Sequence, residues 1–181
     1  MAKRLFLLHL GPDTVDVSSM TEALSVGGVG VPDVDADVFA RAEVEILRSH
    51  RAAGLRRKEV EGAWARVCRR ARKTGTDCFV SMPGWFDATP EQAALALDAL
   101  AGFRVVLVAT SGFAEPPRTW LSRVKEGRSH VLPAHLGGEQ LAAQVARIAL
   151  MEEEARLDRR LTTVHRRRRM LDRVLDRRSA A

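Results

Sequence analysis

Short apolar runs alternate with helical patterns along most of the chain, and this alternation constrains the fold more than any other feature. Residues 4–10 and 104–110 are apolar almost throughout, as strands buried on both faces should be. Further strands are predicted over residues 77–82 and 129–132. Because helical patterns separate these strands, the sequence predicts a three-layer α/β protein, in which helices cover both faces of a mostly parallel sheet.

The intervening helices are marked by apolar stripes and by local start and stop residues. They are predicted over residues 18–25, 36–53, 56–73, 90–100 and 116–126. The fourth helix has the clearest start, because Thr89 is a cap, Pro90 takes the first helical position and Gln92 can complete a capping box. The glycine-rich residues 26–35 are predicted to form a connection that leads to a short edge strand.

A glycine and a polar turn follow the first strand, which is the layout of a phosphate-binding loop. Backbone N–H groups at such a turn, and at the start of the next helix, can hold an anion. The residues of this vestigial anion site are predicted to be Gly11, Thr14, Ser18 and Ser19. The turn has no second glycine and no lysine, and it carries Asp13 and Asp16, which repel an anion. The architecture therefore predicts a phosphate loop, whereas the chemistry predicts that binding has been lost.

Ligands of parallel sheets bind beyond the carboxyl ends of the strands. In this chain those ends are residues 11–19, 81–85 and 110–113. His9 lies beside the first of them and is a candidate base, although a packed or hydrogen-bonded histidine is the commoner role. No cluster of Cys, His and carboxylate residues has the spacing of a metal site. The sequence therefore predicts neither a catalytic residue nor a metal ligand.

The composition indicates a cytoplasmic protein with an uneven charge. Cys68 and Cys78 are too few for a disulfide scaffold and are predicted to be reduced. The apolar run before Gly11 is too short to span a membrane. The net charge of +6 is concentrated in two segments, since residues 48–73 carry ten basic and two acidic residues, and residues 152–181 carry ten and six. A solvated basic surface is one interpretation of this excess, and a polyanionic partner is the other.

The C-terminal part of the chain has a different pattern. Residues 139–178 lack glycine and proline and are predicted to form one long helix, or two with a break near residues 152–154. The chain is accordingly divided into an α/β domain, 1–137, and a basic helical extension, 138–181. An apolar seam with one arginine runs along the extension at spacings of four and three. Its residues are Leu157, Leu161, Val164, Arg168, Leu171 and Leu175.

The extension is predicted to contact a protein partner or to form a homodimer with a second copy of the chain. Docking on its own domain is an alternative that the seam leaves open. Nucleic acid binding by the arginines at 166–169 is possible but not favoured, because no aromatic residue accompanies them for stacking on bases. No contact with a membrane is predicted.

Several short segments, taken in order, carry a resemblance to a known family. They are His9-Leu10-Gly11, Ser18-Ser19, Gly75-Thr76, the strand Cys78 to Ser81, Ala88 to Gln92, the strand Val105 to Thr110, Pro117 to Trp120 and Val124 to Gly127. In this order and spacing, residues 3–128 resemble the sulfotransferase-like proteins of actinobacteria, a branch of the P-loop fold. The resemblance implies that fold and the transfer of a sulfuryl group from 3′-phosphoadenylyl sulfate.

The resemblance also implies a loop lysine, a loop glycine, an arginine after a central strand and a His or Glu base, and this chain has none of them. The corresponding positions are Asp13 or Thr14, Val15 or Asp16, Gly112-Phe113 and Met82-Pro83. Each such group contributes strongly to the stabilisation of transition-state charge. Their loss is therefore expected to abolish both donor binding and transfer.

Three functions are considered on this basis. The favoured one is a non-catalytic sulfotransferase-like protein that has no cofactor and acts through protein contacts or self-association. The second is an active sulfotransferase that uses 3′-phosphoadenylyl sulfate through an atypical loop, for which tight donor binding would discriminate. The third is a basic nucleic-acid-associated protein, for which salt-sensitive binding lost on deletion of residues 152–181 would discriminate.

Overall fold

The protein is built around a five-stranded parallel sheet. The computed structural model describes residues 3–11, 17–111 and 118–179, with the side chains of residues 17–19 and 174–179 excepted. The strands are β1 (Leu5–Leu10), β2 (Val29–Gly30), β3 (Asp77–Ser81), β4 (Arg104–Ser111) and β5 (Ser129–Pro133), in the spatial order β2-β3-β1-β4-β5. Every neighbouring pair is parallel. The predicted α/β class and the parallel sheet are confirmed.

Helices cover both faces of this sheet. They are α1 (Val17–Val26), α2 (Ala36–Leu47), α3 (Arg57–Val60), α4 (Ala63–Lys73), α5 (Pro90–Asp98), α6 (Arg118–Leu121) and α7 (Gly138–Ser179). Residues of α2, α4, α5 and α6 share one buried cluster with Phe6, Leu8 and Leu10, whereas α1 and α7 share a second with Leu5 and Leu7. Successive β1 side chains point to opposite faces, so both clusters draw on this one strand.

Two predicted helices end or divide at positions that the apolar pattern did not reveal. The helix predicted over residues 36–53 ends at Leu47, because Arg48 takes a left-handed conformation with φ 55°. The helix predicted over residues 56–73 is divided into α3 and α4 at Gly62, where φ is 80°. Glu45 of α2 stabilises the new start, since its carboxylate accepts hydrogen bonds from the backbone N–H groups of Gly62 (2.7 Å) and Trp64 (2.8 Å).

The capping box at the start of α5 is confirmed. The Gln92 N–H donates to the Thr89 hydroxyl at 3.3 Å, and the Thr89 N–H donates to the Gln92 side-chain oxygen at 2.8 Å. The Gln92 amide also donates to the Leu47 carbonyl at 2.8 Å, and this bond ties α5 to the end of α2. The helix predicted over 116–126 was too long at its C-terminal end, since α6 ends at Leu121.

The C-terminal helix α7 is a single helix without the break considered near residues 152–154. Its first turns pack in the second buried cluster through Leu141, Val145 and Ile148. An ion pair between Arg104 and Glu152 fastens the helix to β4, with the two side chains 14% and 10% exposed. Beyond it, every residue from 157 to 173 is exposed. We call residues 153–179 the rod; at 1.5 Å per residue it is about 40 Å long.

Candidate functional site

The carboxyl edge of the sheet contains a topological switch point. The chain leaves β1 toward α1 on one face, and it leaves β3 and β4 toward α5 and α6 on the other face. Ligands of open α/β sheets bind in the crevice that such a divergence opens. Because β1 lies between β3 and β4, this crevice is next to the end of β1.

Three polar side chains from the three central strands meet at this edge. His9 Nδ1 lies 2.8 Å from the Ser81 hydroxyl, and His9 Nε2 lies 3.0 Å from the Thr110 hydroxyl. A neutral imidazole has one N–H donor and one acceptor, so one hydroxyl accepts from the ring and the other donates to it. His9, Ser81 and Thr110 therefore form a closed hydrogen-bond cluster, which we call the strand-end cluster.

His9 is fully buried, and its environment keeps the ring neutral. Burial lowers the pKa of His9 from 6.5 to about 4. The ring also stacks on Phe79, with 6.0 Å between the centroids. A histidine with this pKa carries no charge near neutrality, so it does not attract an anion, and it is a weak general base. The packed, hydrogen-bonded role considered for His9 is the one that this geometry supports.

Gly11 continues β1 and approaches the same cluster closely. A Cβ atom at Gly11 would lie 2.2 Å from the Thr110 hydroxyl oxygen and 3.2 Å from His9 Nε2. The first separation is too short for non-bonded atoms and the second is tight, so a side chain at this position would displace the Thr110 hydroxyl and press on His9. The glycine therefore permits the close packing of the strand-end cluster, a role that its place in a loop motif did not indicate.

The remaining residues of the predicted anion site are only partly described. Ser18 and Ser19 lie in the first turn of α1, which begins at Val17, and their side chains are outside the described part. Thr14, together with Asp13 and Asp16, lies outside the described residues. The structure brings Gly11 to the edge where a phosphate loop would stand. The anion site itself stays a prediction.

The positions that correspond to family catalytic groups are also partly described. Met82 is buried, and Pro83 begins a 3-10 turn that ends at Trp85. Gly112 and Phe113 lie outside the described residues. The sequence named each strand end separately but did not join His9 to Ser81 and Thr110. Their shared signal is a polar residue near the carboxyl end of a buried strand.

The rod presents large apolar side chains to solvent along its whole described length. Leu157, Leu161 and Val164 are 51%, 54% and 57% exposed, and Leu171 is 64% exposed. These four residues belong to the predicted seam, whose arginine, Arg168, is exposed as well. The side chain of Leu175 lies outside the described part. The other seam residues form a stripe that no described part of the chain covers.

The described residues meet the requirements of neither a metal site nor a membrane-spanning helix. Among residues 3–11, 17–111 and 118–179, no three His, Cys, Asp or Glu side chains come together as ligands of a metal ion would. None of the described helices combines the length and the apolar character needed to cross a membrane.

Comparisons with known proteins identify no relative of this chain. No family model matches it, no curated protein is significantly similar in sequence, and no solved structure matches it significantly in fold.

Proposed function

We propose that this protein is a non-catalytic, sulfotransferase-like domain that acts through protein contacts of its rod, with a second copy of the chain as the partner. The observation that carries the proposal is the exposed apolar seam of α7, in which Leu157, Leu161, Val164 and Leu171 are each more than half exposed. Single exposed apolar residues are ordinary on a protein surface, but a stripe at spacings of four and three is typical of a helix that pairs with another helix.

The state of the strand-end cluster supports the absence of catalysis. His9 is neutral because burial holds its pKa at about 4, and both of its ring nitrogens already have hydroxyl partners. With a pKa this far below neutrality, His9 is a weak base and carries no positive charge that could hold an anion near neutral pH. The lost lysine and glycine of the loop agree with this chemistry.

The arginine in the seam supports an antiparallel pair. In a parallel, in-register pair, Arg168 would face Arg168 of the other copy across the seam, and two like charges would be desolvated together. In an antiparallel pair centred near residue 166, Arg168 faces Val164, and Leu161 faces Leu171. The second arrangement keeps leucine against leucine without opposing the two arginines.

The distribution of charge along the rod agrees with the same arrangement. Before the tip, residues 153–165 carry three acidic residues and three arginines, so this stretch has no net charge apart from its histidine. The tip, residues 166–178, carries seven arginines and two aspartates. An antiparallel pair places the basic tip of each copy beside this charge-balanced stretch of the other, whereas a parallel pair places the two basic tips side by side.

Cysteine cross-linking tests both the partner and the orientation. In the antiparallel pair, the Leu161→Cys and Leu171→Cys double variant should be joined between chains by a short bis-maleimide. Leu161→Cys alone should not, because the two copies of residue 161 lie about 15 Å apart along the axis. The native thiols do not interfere, since both are buried and burial raises their pKa values, that of Cys68 to about 12.

The cross-linking results test both the orientation of the pair and its existence. Covalent dimers from the single variant would contradict the antiparallel orientation. Monomers from both variants at high protein concentration would overturn self-association through the rod.

A second candidate function, binding of nucleic acid, is favoured by one feature of α4. Arg66, Arg69, Arg70 and Lys73 are exposed on the face opposite the buried residues of this helix. None of them forms an ion pair with a carboxylate in the described part of the chain. Salt-sensitive binding of DNA or RNA that is lost in Arg66→Ala and Arg70→Ala would support this candidate over the first.

A further inference from the structure

A basic groove lies at the amino edge of the sheet, at the opposite end from the strand-end cluster. Arg104 is the first residue of β4, Arg128 directly precedes β5, and Lys3 precedes β1. Arg156 and Arg159, from the base of the rod, form the other wall. The groove has a volume of about 850 Å³, which is enough for a small ligand of several charged groups.

Positive charge dominates the lining of this groove. Six basic residues line it, namely Lys3, Arg104, Lys125, Arg128, Arg156 and Arg159. Among the described lining residues, two carboxylates join them, Glu126 and Glu152. Glu152 is paired with Arg104, and Arg156 is paired with Glu153 outside the lining, which leaves four of the six basic residues without an ion pair in the described part of the chain. Cations converging on a concave surface repel one another and concentrate a positive potential there. The folded protein therefore maintains a repulsion that an anion in the groove would relieve.

Two guanidinium groups in the groove have unused donors. The Nε atoms of Arg104 and Arg156 are buried and have no hydrogen-bond partner among the described residues. Burial lowers the pKa of Arg104, the positive charges of Arg159 and Arg128 act in the same direction, and the attraction of Glu152 opposes them. Buried donors are normally satisfied, so each of these two arginines is short of an acceptor.

We propose that this groove binds a compact polyphosphate and that the bound anion bridges the amino edge of the sheet to the base of the rod. Several arginines at one site favour phosphate groups, because the planar guanidinium donates two parallel hydrogen bonds to their oxygens. A ligand held by Arg128 on one wall and Arg159 on the other contacts both elements at once. This inference is independent of the rod's partner and adds a ligand site to the protein.

The surroundings of Phe103 leave a nucleobase no aromatic ring to stack on in the described part of this groove. Among the described residues that line the groove, Phe103 is the one aromatic residue, and its side chain is buried. The guanidinium carbons of Arg4 and Arg72 lie 5.6 and 5.7 Å from its ring centroid. A base therefore finds no free aromatic face here, and the phosphate groups alone should determine affinity.

Calorimetric titration with inorganic tripolyphosphate tests the proposal at fixed ionic strength. The full chain is compared with Lys125→Ala/Arg159→Ala, two exposed groove residues whose truncation leaves the core intact. The matched control is Arg57→Ala/Lys58→Ala, which removes the same charge from exposed positions of α3 outside the groove. The groove variant should bind about tenfold more weakly or worse, and the control should bind like the unmodified chain.

Three outcomes would overturn the proposal. The first is no heat with tripolyphosphate at millimolar concentration. The second is equal weakening in the groove variant and the α3 control, which would indicate attraction by net charge alone. The third is adenosine triphosphate binding much more tightly than tripolyphosphate, which would show that a base is recognised. Arg128→Ala provides a second groove variant if the first one is altered in fold.

Discussion

The first turns of α7 and the rod belong to one helix but have opposite environments. Leu141 and Val145 are 1% and 0% exposed, whereas Leu157 and Leu161 are 51% and 54% exposed. The sheet and α1 bury the apolar face of the first part, and no described part of the chain contacts the apolar face of the second. The apolar residues of the first part thus explain the fold, and those of the rod have no role in it. A contact with another molecule is the role that we propose for them.

Truncation of one leucine in each part of α7 should give the largest difference in stability between the two parts. Leu141→Ala should lower the free energy of unfolding by about 2–5 kcal/mol, because it leaves a cavity between α7 and the sheet. Leu157→Ala should change it by about 0.5 kcal/mol or less, because that side chain is largely in water in the monomer. Urea unfolding at low protein concentration measures both. Similar losses in the two variants would mean that the rod packs on its own domain.

The packed region should also respond to pH through His9, in contrast to the rod. The folded pKa of His9 is about 4 against 6.5 when unfolded, so between these values the unfolded chain binds the extra proton. The stability contribution is therefore complete above pH 6.5 and is lost as the pH falls toward 4, by about 3 kcal/mol in total.

Two glutamine variants isolate this effect. His9→Gln should remove the loss, since an amide offers one donor and one acceptor like the neutral ring but does not titrate. His165→Gln, on the exposed rod, is the matched control that changes a histidine outside the strand-end cluster. A His9→Gln profile as steep as that of the unmodified chain would contradict the assignment.

A smaller effect should come from the close packing at Gly11. Gly11→Ala should cost about 1–3 kcal/mol, because the new Cβ meets the Thr110 hydroxyl oxygen at 2.2 Å. Thr110→Ala alone should cost about 1 kcal/mol for its lost hydrogen bond. The double variant should cost less than the sum, because Thr110→Ala removes the atom that clashes. Additive costs in chemical denaturation would show that Gly11 and Thr110 are not in contact.

The smallest expected effect is the binding of the desulfated donor, 3′-phosphoadenosine 5′-phosphate, at the carboxyl edge of the sheet. Titration with 3′-phosphoadenosine 5′-phosphate should give no heat attributable to this edge, because the strand-end cluster is neutral and closed. The Lys125→Ala/Arg159→Ala variant is used, so that binding by the basic groove is weakened. Micromolar binding in that variant would favour the active sulfotransferase over the non-catalytic protein. Ser18 and Ser19 would then be the first residues to substitute.

The sequence predicted those elements whose determinants are local. The β4 strand and the capping box of Thr89 and Gln92 depend on residues within one segment, and both are confirmed. The division between α3 and α4 was missed, because Glu45 stabilises it from α2, seventeen residues before Gly62. Apolar periodicity carries no information on such a contact.

The two sites were predictable only in part, because both depend on the order of the strands. His9 was recognised as a residue at a strand end, but its partners follow from β1 lying between β3 and β4. The basic groove was missed altogether. It combines Lys3 and Arg104 with Arg159, and these meet only because α7 returns across the amino end of the sheet. Charge counts along the chain could not reveal that convergence.

The most direct test of the account is the molar mass of the full chain in solution. Light scattering coupled to size-exclusion chromatography should give twice the monomer mass at high protein concentration. Leu161→Gln/Val164→Gln should return the protein to the monomer, and the neighbouring control Thr162→Gln/Thr163→Gln should remain dimeric. A chain that stays monomeric at every concentration, or a dimer that survives the seam substitutions, would contradict self-association through the rod.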